Sequence, residues 1–367
     1  MAPRVLVAMS GGVDSSVAAA LLVERGYDVV GATMKLFCYG DDVPDRPCCS
    51  LDSIDDARRV CERLGVPHYV LNLESAFGHD VIDDFVSEYA RGRTPIPCVR
   101  CNTFTKFRDL LRKADAIDAD FIATGHYARV VDGVLLRAQD ADKDQTYFLW
   151  GIDRDVVRRM LLPVGELTKA ETRARARALG LDVVAGKPES QDICFGPDGD
   201  HVRVLERRLG AGAPALASGP IFTLDGRVVG RHEGFARYTI GQRRGLPGGF
   251  PVPMYVVAIR PTDRAVVIGP RDALLGRGVV ARGVNWLVDE PPTVGAQVAV
   301  QVRHRAAAAP AEIIRCAGDE IELALDVPVA AITPGQSLVI YDSARVLGGG
   351  FIERAHGQRP TLPVLAA

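Results

Sequence analysis

One short segment near the N-terminus constrains this chain more than any other. Residues 10–16, Ser-Gly-Gly-Val-Asp-Ser-Ser, lie between the apolar run Arg4–Ala8 and a segment with helical spacing, Val13–Glu24. Two glycines let the backbone approach an anion closely, while the serine hydroxyls and the free N–H groups of the helix start supply donors. The segment is neither a Walker A loop nor the Gly-x-Gly-x-x-Gly dinucleotide loop. It therefore predicts a phosphate-binding loop of another class.

Strand-like and helix-like segments alternate over the first 130 residues. The predicted strands are Arg4–Ala8, Asp28–Thr33, Pro67–Leu73 and Asp120–Thr124, and the predicted helices are Val13–Glu24, Ser53–Leu64 and Asp80–Ala90. Such alternation is typical of a parallel sheet with helices on both faces. We therefore predict a doubly wound α/β domain over residues 1–204.

After about residue 205, short strand-like runs replace the helical periodicity. Asp225-Gly226 and residues 261–263 predict tight turns of two β-hairpins. Four later runs predict a small antiparallel barrel or sandwich: Gln297–Arg303, Ala311–Cys316, Glu320–Leu325 and Ser337–Tyr341. We divide this half into a β-rich central domain over residues 205–274, a C-terminal β-barrel over residues 275–358 and a tail over residues 359–367.

Composition excludes two classes of protein. Hydrophobic residues make up 47% of the 367 positions and charged residues 25%, which is too apolar for a disordered chain. No apolar run is long enough to cross a bilayer, and no signal-peptide pattern is present, so we expect a cytoplasmic protein without a membrane partner. Residues 1–202 carry 25 Lys and Arg against 32 Asp and Glu, whereas residues 203–367 carry 19 against 14. This asymmetry favours a polyanionic partner held mainly by the C-terminal half.

The chain has eight cysteines, and in a reducing compartment these are more typical of buried, catalytic or metal-binding thiols than of structural disulfides. Cys101 and Cys194 each lie beside polar residues, which suits thiolate chemistry. Cys38, Cys48 and Cys49 could ligate a metal, but adjacent cysteines lack the usual ligand spacing, which favours buried or idle thiols.

The loop at residues 10–16 resembles the pyrophosphate loop of the N-type ATP pyrophosphatases, which cleave ATP to AMP and pyrophosphate. Seven further segments follow it in a characteristic order: residues 101–107, 124–129, 143–149, 163–167, 192–195, 239–246 and 333–337. Together they cover the chain to about Glu353. The ordered set resembles the bacterial tRNA-specific 2-thiouridylase (MnmA) family.

The resemblance implies ATP-dependent 2-thiolation of the wobble uridine of tRNA, with Lys, Glu and Gln acceptors as the family's substrates and with ATP and Mg²⁺ required. ATP would adenylate the C2 oxygen of that uridine. Cys194 would carry a persulfide delivered by a sulfur relay, and its terminal sulfur would attack C2. Cys101 would be the nucleophile that resolves the persulfide, and a Cys101–Cys194 disulfide would remain for an external reductant to reopen.

The resemblance also implies two sets of binding residues. The ATP set consists of Ala8, Met9, Ser10, Gly11, Gly12, Val13, Asp14, Ser15, Met34 and Gly125. The tRNA set contains His126, Lys143, Asp144, Gln145 and Gln336. Asp14 is expected near the magnesium and the phosphates, and Met34 could pack on adenine at the carboxyl edge of the sheet. Arg243 and Arg244 join the tRNA set because arginine between glycines favours phosphate contact over an unpaired buried charge.

One departure from the family pattern leaves the thiol chemistry open. Many relatives have Asn-Pro-Asp before the catalytic cysteine, whereas residues 96–98 here are Ile-Pro-Cys. Cys98, Cys101 and Cys194 could therefore ligate an iron–sulfur cluster with one open iron, although we favour the persulfide–disulfide mechanism. The sequence also leaves two other functions open. Another ATP-pyrophosphatase-type ligase would not need Cys101 and Cys194, and a non-catalytic RNA-binding sensor would release no pyrophosphate.

Overall fold

The computed structural model describes residues 2–37, 51–187, 193–196, 200–210 and 212–357. The strands are β1 (Arg4–Ala8), β2 (Asp28–Lys35), β3 (His68–Asn72), β4 (Phe121–Ala123), β5 (Arg129–Val131), β6 (Val134–Leu136), β7 (Met160–Leu161), β8 (Gly219–Thr223), β9 (Val228–His232), β10 (Tyr255–Arg260), β11 (Ala265–Gly269), β12 (Leu275–Trp286), β13 (Gln297–Gln301), β14 (Ala309–Ala317), β15 (Glu320–Ala330), β16 (Ser337–Asp342) and β17 (Arg345–His356). The helices are α1 (Val13–Glu24), α2 (Leu51–Leu64), α3 (Glu74–Phe77), α4 (Asp84–Ala90), α5 (Pro97–Arg100), α6 (Arg108–Asp115), α7 (Arg154–Val157), α8 (Lys169–Ala178), α9 (Asp182–Ala185) and α10 (His201–Leu209).

The N-terminal domain is built on a parallel sheet with the strand order β3-β2-β1-β4-β7. Leu6 and Ala8 of β1 pack into one hydrophobic cluster, whereas Val5 and Val7 pack into another. Because alternate side chains of a strand point to opposite faces, both faces of this sheet are covered. The chain order reverses between β1 and β4, which creates the switch point where open α/β sheets bind ligands.

A four-stranded sheet with the order β10-β11-β8-β9 forms the central domain. Two hairpins build it, one turning at Asp225-Gly226 and one through the 3₁₀ turn Pro261–Asp263. Strands β11 and β8 join the hairpins in parallel.

The C-terminal domain is a closed six-stranded barrel. Its order is β12-β15-β14-β13-β16-β17, and β12 pairs with β17 to close it. The β5–β6 hairpin of the N-terminal domain extends this sheet through the pair Arg345–Leu136. One hydrophobic cluster also crosses between the two domains, since Tyr147 and Trp150 pack with Tyr341 and Val346.

The structure confirms the predicted fold class. Helix α1 has the predicted bounds, both hairpin turns lie where the sequence predicts them, and the barrel is present. The helix predicted from Asp80 instead begins at Glu74, because the π-helical turn Gly78–Asp83 joins α3 to α4. Strands β12 and β17 and the β5–β6 hairpin are absent from the sequence prediction. The domain boundaries remain predictions.

No helix in the described part of the chain is long and apolar enough to span a membrane. The tail after residue 358 and Cys38, Cys48 and Cys49 lie outside the described residues.

Candidate active site

The glycine-rich loop lies between β1 and α1, at the switch point of the parallel sheet. Gly11 has a φ of +69°, and a Cβ there would collide with the carbonyl oxygen of Ser53. Gly125 follows β4, and a Cβ there would lie 2.5 Å from the backbone nitrogen of Ser15. Two strand ends therefore bring bare backbone to the start of α1, where helix geometry leaves N–H groups unbonded. Unbonded N–H groups at a helix start favour anions, so this arrangement is suited to bind phosphate.

The side chains of Ser15 and Ser16 form hydrogen bonds with the backbone of the loop itself. The hydroxyls of Ser15 and Ser16 donate to the Gly12 carbonyl over 3.2 and 2.8 Å, and the Ser10 backbone N–H donates to the Ser15 hydroxyl over 3.1 Å. Both hydroxyl-bearing side chains are buried. The loop thus offers a ligand mainly backbone donors and the exposed Ser10. Ala8, Met9 and Val13, also predicted for the ATP set, are buried beneath it.

Asp14 is held by two partners from distant parts of the chain. The ammonium of Lys169 donates to both carboxylate oxygens over 2.8 Å, and the Tyr127 hydroxyl donates to Oδ1 over 2.9 Å. Lys169 is the first residue of α8, which a capping box between Thr168 and Glu171 fixes. A carboxylate and an ammonium therefore meet beside the phosphate loop.

A second lysine lies against the same loop. The ammonium of Lys187 donates to the Gly11 carbonyl over 3.2 Å and forms an ion pair with the buried carboxylate of Asp56. Sequence reasoning misses both lysines because each lies more than 150 residues from the loop. The capping box ahead of Lys169 is the one local signal that could have placed it at a helix start.

The segment after β4 connects the loop to the cysteine-bearing helix. The ring of His126 lies 5.7 Å from the ring of Phe107 and its Nδ1 lies 2.8 Å from the Thr124 hydroxyl. Burial, with the charge of Lys106 as a second cause, lowers the pKa of His126 to about 3. The imidazole is therefore neutral at physiological pH, so it can reach RNA only as a neutral hydrogen-bonding group.

Cys98 and Cys101 lie on a helical segment formed by α5, a π-helical turn at Cys101–Phe107, and α6. Cys98 is exposed, whereas Cys101 is buried. Cys194 is half-buried and packs against the hydrophobic cluster that contains Cys101. Phe195 anchors it there, with its ring 5.0 Å from that of Phe85. The structure thus brings the two predicted catalytic cysteines to one hydrophobic cluster.

The π-helical turn has unusual polar chemistry. In the described structure, Asn102 Oδ1, Thr103 Oγ1 and Thr105 Oγ1 are buried without a hydrogen-bond partner, although the Asn102 amide nitrogen donates to the Phe148 carbonyl over 3.0 Å. Buried polar atoms are normally paired, and π-helical turns frequently occur at functional sites. The turn is therefore a candidate for substrate contact.

The structure gives no support to the iron–sulfur alternative. Within residues 2–37, 51–187, 193–196, 200–210 and 212–357, no three Cys, His, Asp or Glu side chains lie close enough to hold one metal ion. The thiolates of a cluster bind different irons, so Cys98, Cys101 and Cys194 as cluster ligands stay a prediction.

Besides His126, whose surroundings are given above, the residues predicted to contact tRNA fall into two groups. Arg243 and Arg244 are exposed in a loop of the central domain, and Lys143 is half-buried. The other three hold the protein's own chain. Asp144 accepts from Arg137 and Thr146, Gln145 accepts from the Tyr127 backbone, and Gln336 donates to the Thr94 and Pro95 carbonyls. Their RNA contacts remain predictions.

Met34 is half-buried at the carboxyl end of β2, as the ATP prediction expects of its position in the strand. The fold and the site together define an α/β domain of the ATP-pyrophosphatase type, in which the contact of His126 with Phe107 links the phosphate loop to a helical segment that carries two cysteines.

Three family models match the chain. The tRNA methyl transferase HUP domain matches residues 3–198, the tRNA methyl transferase PRC-barrel domain residues 209–270, and the aminomethyltransferase beta-barrel domain residues 276–352. A tRNA-specific 2-thiouridylase MnmA of Rhodospirillum centenum is 50% identical over 96% of this chain and 92% of its own length. That of Geobacter metallireducens is 48% identical over 96% and 97%. The chain belongs to the tRNA-specific 2-thiouridylase family.

Among solved structures, a 4-thiouridine synthetase in complex with RNA and bound ATP has a TM-score of 0.35 at 17% identity. It covers 57% of this chain and 51% of that one. Similarity at this level carries no inference about function.

Proposed function

We propose that this protein is a cytoplasmic enzyme that uses ATP to replace the C2 oxygen of the wobble uridine of tRNA with sulfur. The observation that supports the proposal is a series of contacts between the phosphate loop and the helical segment of Cys101. Gly125 lies against the phosphate loop, and its neighbour His126 lies against Phe107 on the helical segment of Cys101. This series of contacts links the phosphate loop to the helical segment that carries Cys101.

Adenylation is the first step of the proposed reaction. The C2 oxygen of uridine attacks the α-phosphorus of ATP, and pyrophosphate leaves. The loop backbone binds the phosphates, and Lys169 and Lys187 offset their negative charge. Asp14 is a half-exposed carboxylate oxygen donor beside the loop, which fits a Mg²⁺ ligand. When bound, the cation would neutralise phosphate charge.

Sulfur transfer is the second step. The terminal sulfur of a Cys194 persulfide, loaded by a persulfide-carrying donor protein, attacks C2, and AMP leaves with the former C2 oxygen. The Cys101 thiolate then attacks the Cys194 sulfur, which releases 2-thiouridine and leaves a Cys101–Cys194 disulfide. An external dithiol supplies the two electrons that reopen it. Packing of both cysteines against one cluster supports this pairing.

The descriptions of two family models mention methyl transfer, whereas the relatives matched over 92% and 97% of their own length are 2-thiouridylases. An ATP-type phosphate loop and two cysteines at one hydrophobic cluster in the same domain support sulfur transfer. The relatives' names support a tRNA substrate, and the acceptors for Lys, Glu and Gln are the proposed set.

The test is nucleoside analysis of an unmodified tRNA transcript incubated with the enzyme, Mg-ATP and a persulfide donor. We expect 2-thiouridine with the wild type and none with Cys101→Ser or Cys194→Ser, both of which should still bind tRNA. Cys98→Ser and Cys316→Ser are matched controls, because both thiols are exposed and neither has a role in the two-thiol relay. Product from Cys194→Ser at the wild-type rate would contradict the proposal.

A further inference from the structure

The chain just before the cysteines is a meeting point of all three domains. Residues 91–96, which we call the strap, connect α4 to α5 and so lead directly into the helical segment of Cys98 and Cys101. Barrel and central domain both contact the strap, although it belongs to the N-terminal domain.

Most of the contacts come from the barrel. The amide nitrogen of Gln336 donates to the carbonyls of Thr94 and Pro95 over 2.9 and 3.2 Å, so both of its hydrogens have an acceptor. The Thr94 backbone N–H donates to the Pro334 carbonyl over 2.9 Å. Gly335 has a φ of +91°, and a Cβ there would lie 2.8 Å from the Thr94 carbonyl oxygen. The turn and the strap are therefore in backbone contact.

An ion-pair network fixes the start of the strap. Arg93 binds Glu88 of α4 over 2.6 Å and Glu353 of β17 over 2.8 Å, and it also donates to the Ile352 carbonyl over 3.1 Å. The Arg93 side chain is only 19% exposed, so its charge depends on these partners.

The central domain adds contacts on the same strap. The hydroxyl of Thr94 lies 3.4 Å from that of Thr239, and a Cβ at Gly92 would lie 2.7 Å from the Pro261 ring. The barrel also reaches the cysteine helix itself. The guanidinium of Arg100 lies 4.9 Å from the centre of the Phe351 ring of β17.

We propose that Gln336 is a positioning residue that sets the burial and orientation of the Cys101 thiol through the strap, before any RNA is bound. Its partner is thus the enzyme's own backbone, where the family resemblance implies RNA. The value of this position for catalysis rests on the proposed function, in which Cys101 resolves the persulfide. The central domain and the barrel would then set the position of the reactive thiol through their contacts with the strap.

The direct test is the rate at which iodoacetamide alkylates Cys101 in the full chain without ATP or tRNA, followed by peptide mass spectrometry. Gln336→Glu keeps the shape of the side chain but loses the donor and directs a carboxylate at two carbonyls. We expect it to raise the Cys101 rate at least fivefold, whereas Gln336→Lys, which keeps a donor, stays near the wild type. Two cysteines serve as controls in the same experiment. The alkylation rate of exposed Cys316 monitors the activity of the reagent and the integrity of the barrel, and that of buried Cys61 monitors global unfolding. Both rates should be unchanged in the variants.

A second variant, which changes the contacts of the strap at another residue, keeps the test informative if Gln336→Glu misfolds. Glu353→Gln removes one partner of Arg93 and leaves the other, so we expect a smaller rise in the Cys101 rate. In turnover, Gln336→Glu should lower kcat while KM for tRNA stays within twofold, because a lost RNA contact would instead raise KM. An unchanged Cys101 rate in both variants, or a raised KM with unchanged kcat, would overturn the positioning role. Because alkylation needs no substrate, failure of the proposed thiolation would be seen separately, as absence of 2-thiouridine in the wild type.

Discussion

Asp14 combines a predicted ligand role with an observed structural one. Its carboxylate compensates the charge of Lys169, a side chain that is only 13% exposed. Asp14→Asn should therefore lower the free energy of unfolding by about 1–3 kcal/mol, because it removes a counter-charge that binds that ammonium through both carboxylate oxygens, and should abolish pyrophosphate release. Urea unfolding and a pyrophosphate assay measure the two effects.

The double variant Asp14→Asn/Lys169→Met is the matched control for that change. It removes both charges, so we expect stability to recover towards the wild type while pyrophosphate release stays absent. Pyrophosphate formation near the wild-type rate in either variant would contradict the role of the loop.

His126 should make the free energy of unfolding depend on pH. Its pKa is about 3 in the folded protein against 6.5 for an ordinary histidine, so the unfolded chain binds one more proton between those values. The histidine's contribution to stability is complete above pH 6.5 and falls as the pH drops towards 3. For this half-buried ring we expect a loss of up to about 1 kcal/mol per pH unit.

His126→Gln isolates this contribution, because burial also lowers the pKa of His68, His232 and His304 and these remain in the variant. The difference in unfolding free energy between wild type and variant should narrow between pH 7 and pH 5. A difference that is independent of pH would mean that His126 does not titrate between the folded and unfolded states.

At the scale of elements, β12 and β17 show where sequence patterns fail. Both strands are rich in glycine, which has low strand propensity, so neither is predicted. The structure explains two of the glycines of β17, since Gly348 lies against the backbone of Asn285 in β12 and Gly349 against the ring of Trp150. Their low strand propensity is outweighed by close packing within the barrel at Gly348 and against the N-terminal domain at Gly349, which only the tertiary structure reveals.

Gly349→Ala tests this explanation. The new Cβ would lie 2.6 Å from the Leu338 carbonyl oxygen and 2.7 Å from the Trp150 ring, so we expect a loss of about 2–3 kcal/mol of stability. Gly248→Ala is the matched control, because its Cβ would meet nothing within 4 Å and should change stability little. Equal effects of the two substitutions in urea unfolding would refute the packing argument.

For the molecule as a whole, the sequence predicts the phosphate loop well because its residues are contiguous and its glycines have one geometric use. The partners of that loop could not be predicted in the same way. Lys169, Lys187 and the contact of Gln336 with the strap depend on segments that meet only after folding. Strand–helix alternation predicts the parallel sheet. It does not predict that the barrel contacts the segment that leads into Cys98 and Cys101.

The charge asymmetry between the two halves predicts how the molecule binds RNA. Arg243 and Arg244 are exposed, so replacing both by Gln should weaken tRNA binding and reduce the slope of log K against log salt by about 1.5. Arg25→Gln is the control, since Arg25 follows the end of α1 that lies away from the phosphate loop. An unchanged salt slope in the double variant would remove these arginines from the interface.

In the proposed reaction, uridine is activated through its C2 oxygen and sulfur then replaces this oxygen at one site. A tRNA whose wobble uridine carries ¹⁸O at C2, incubated with the enzyme, Mg-ATP and a persulfide donor, tests this by mass spectrometry of the AMP. We expect one ¹⁸O in AMP for each 2-thiouridine formed and none in pyrophosphate. Formation of 2-thiouridine with unlabelled AMP would contradict the proposed reaction.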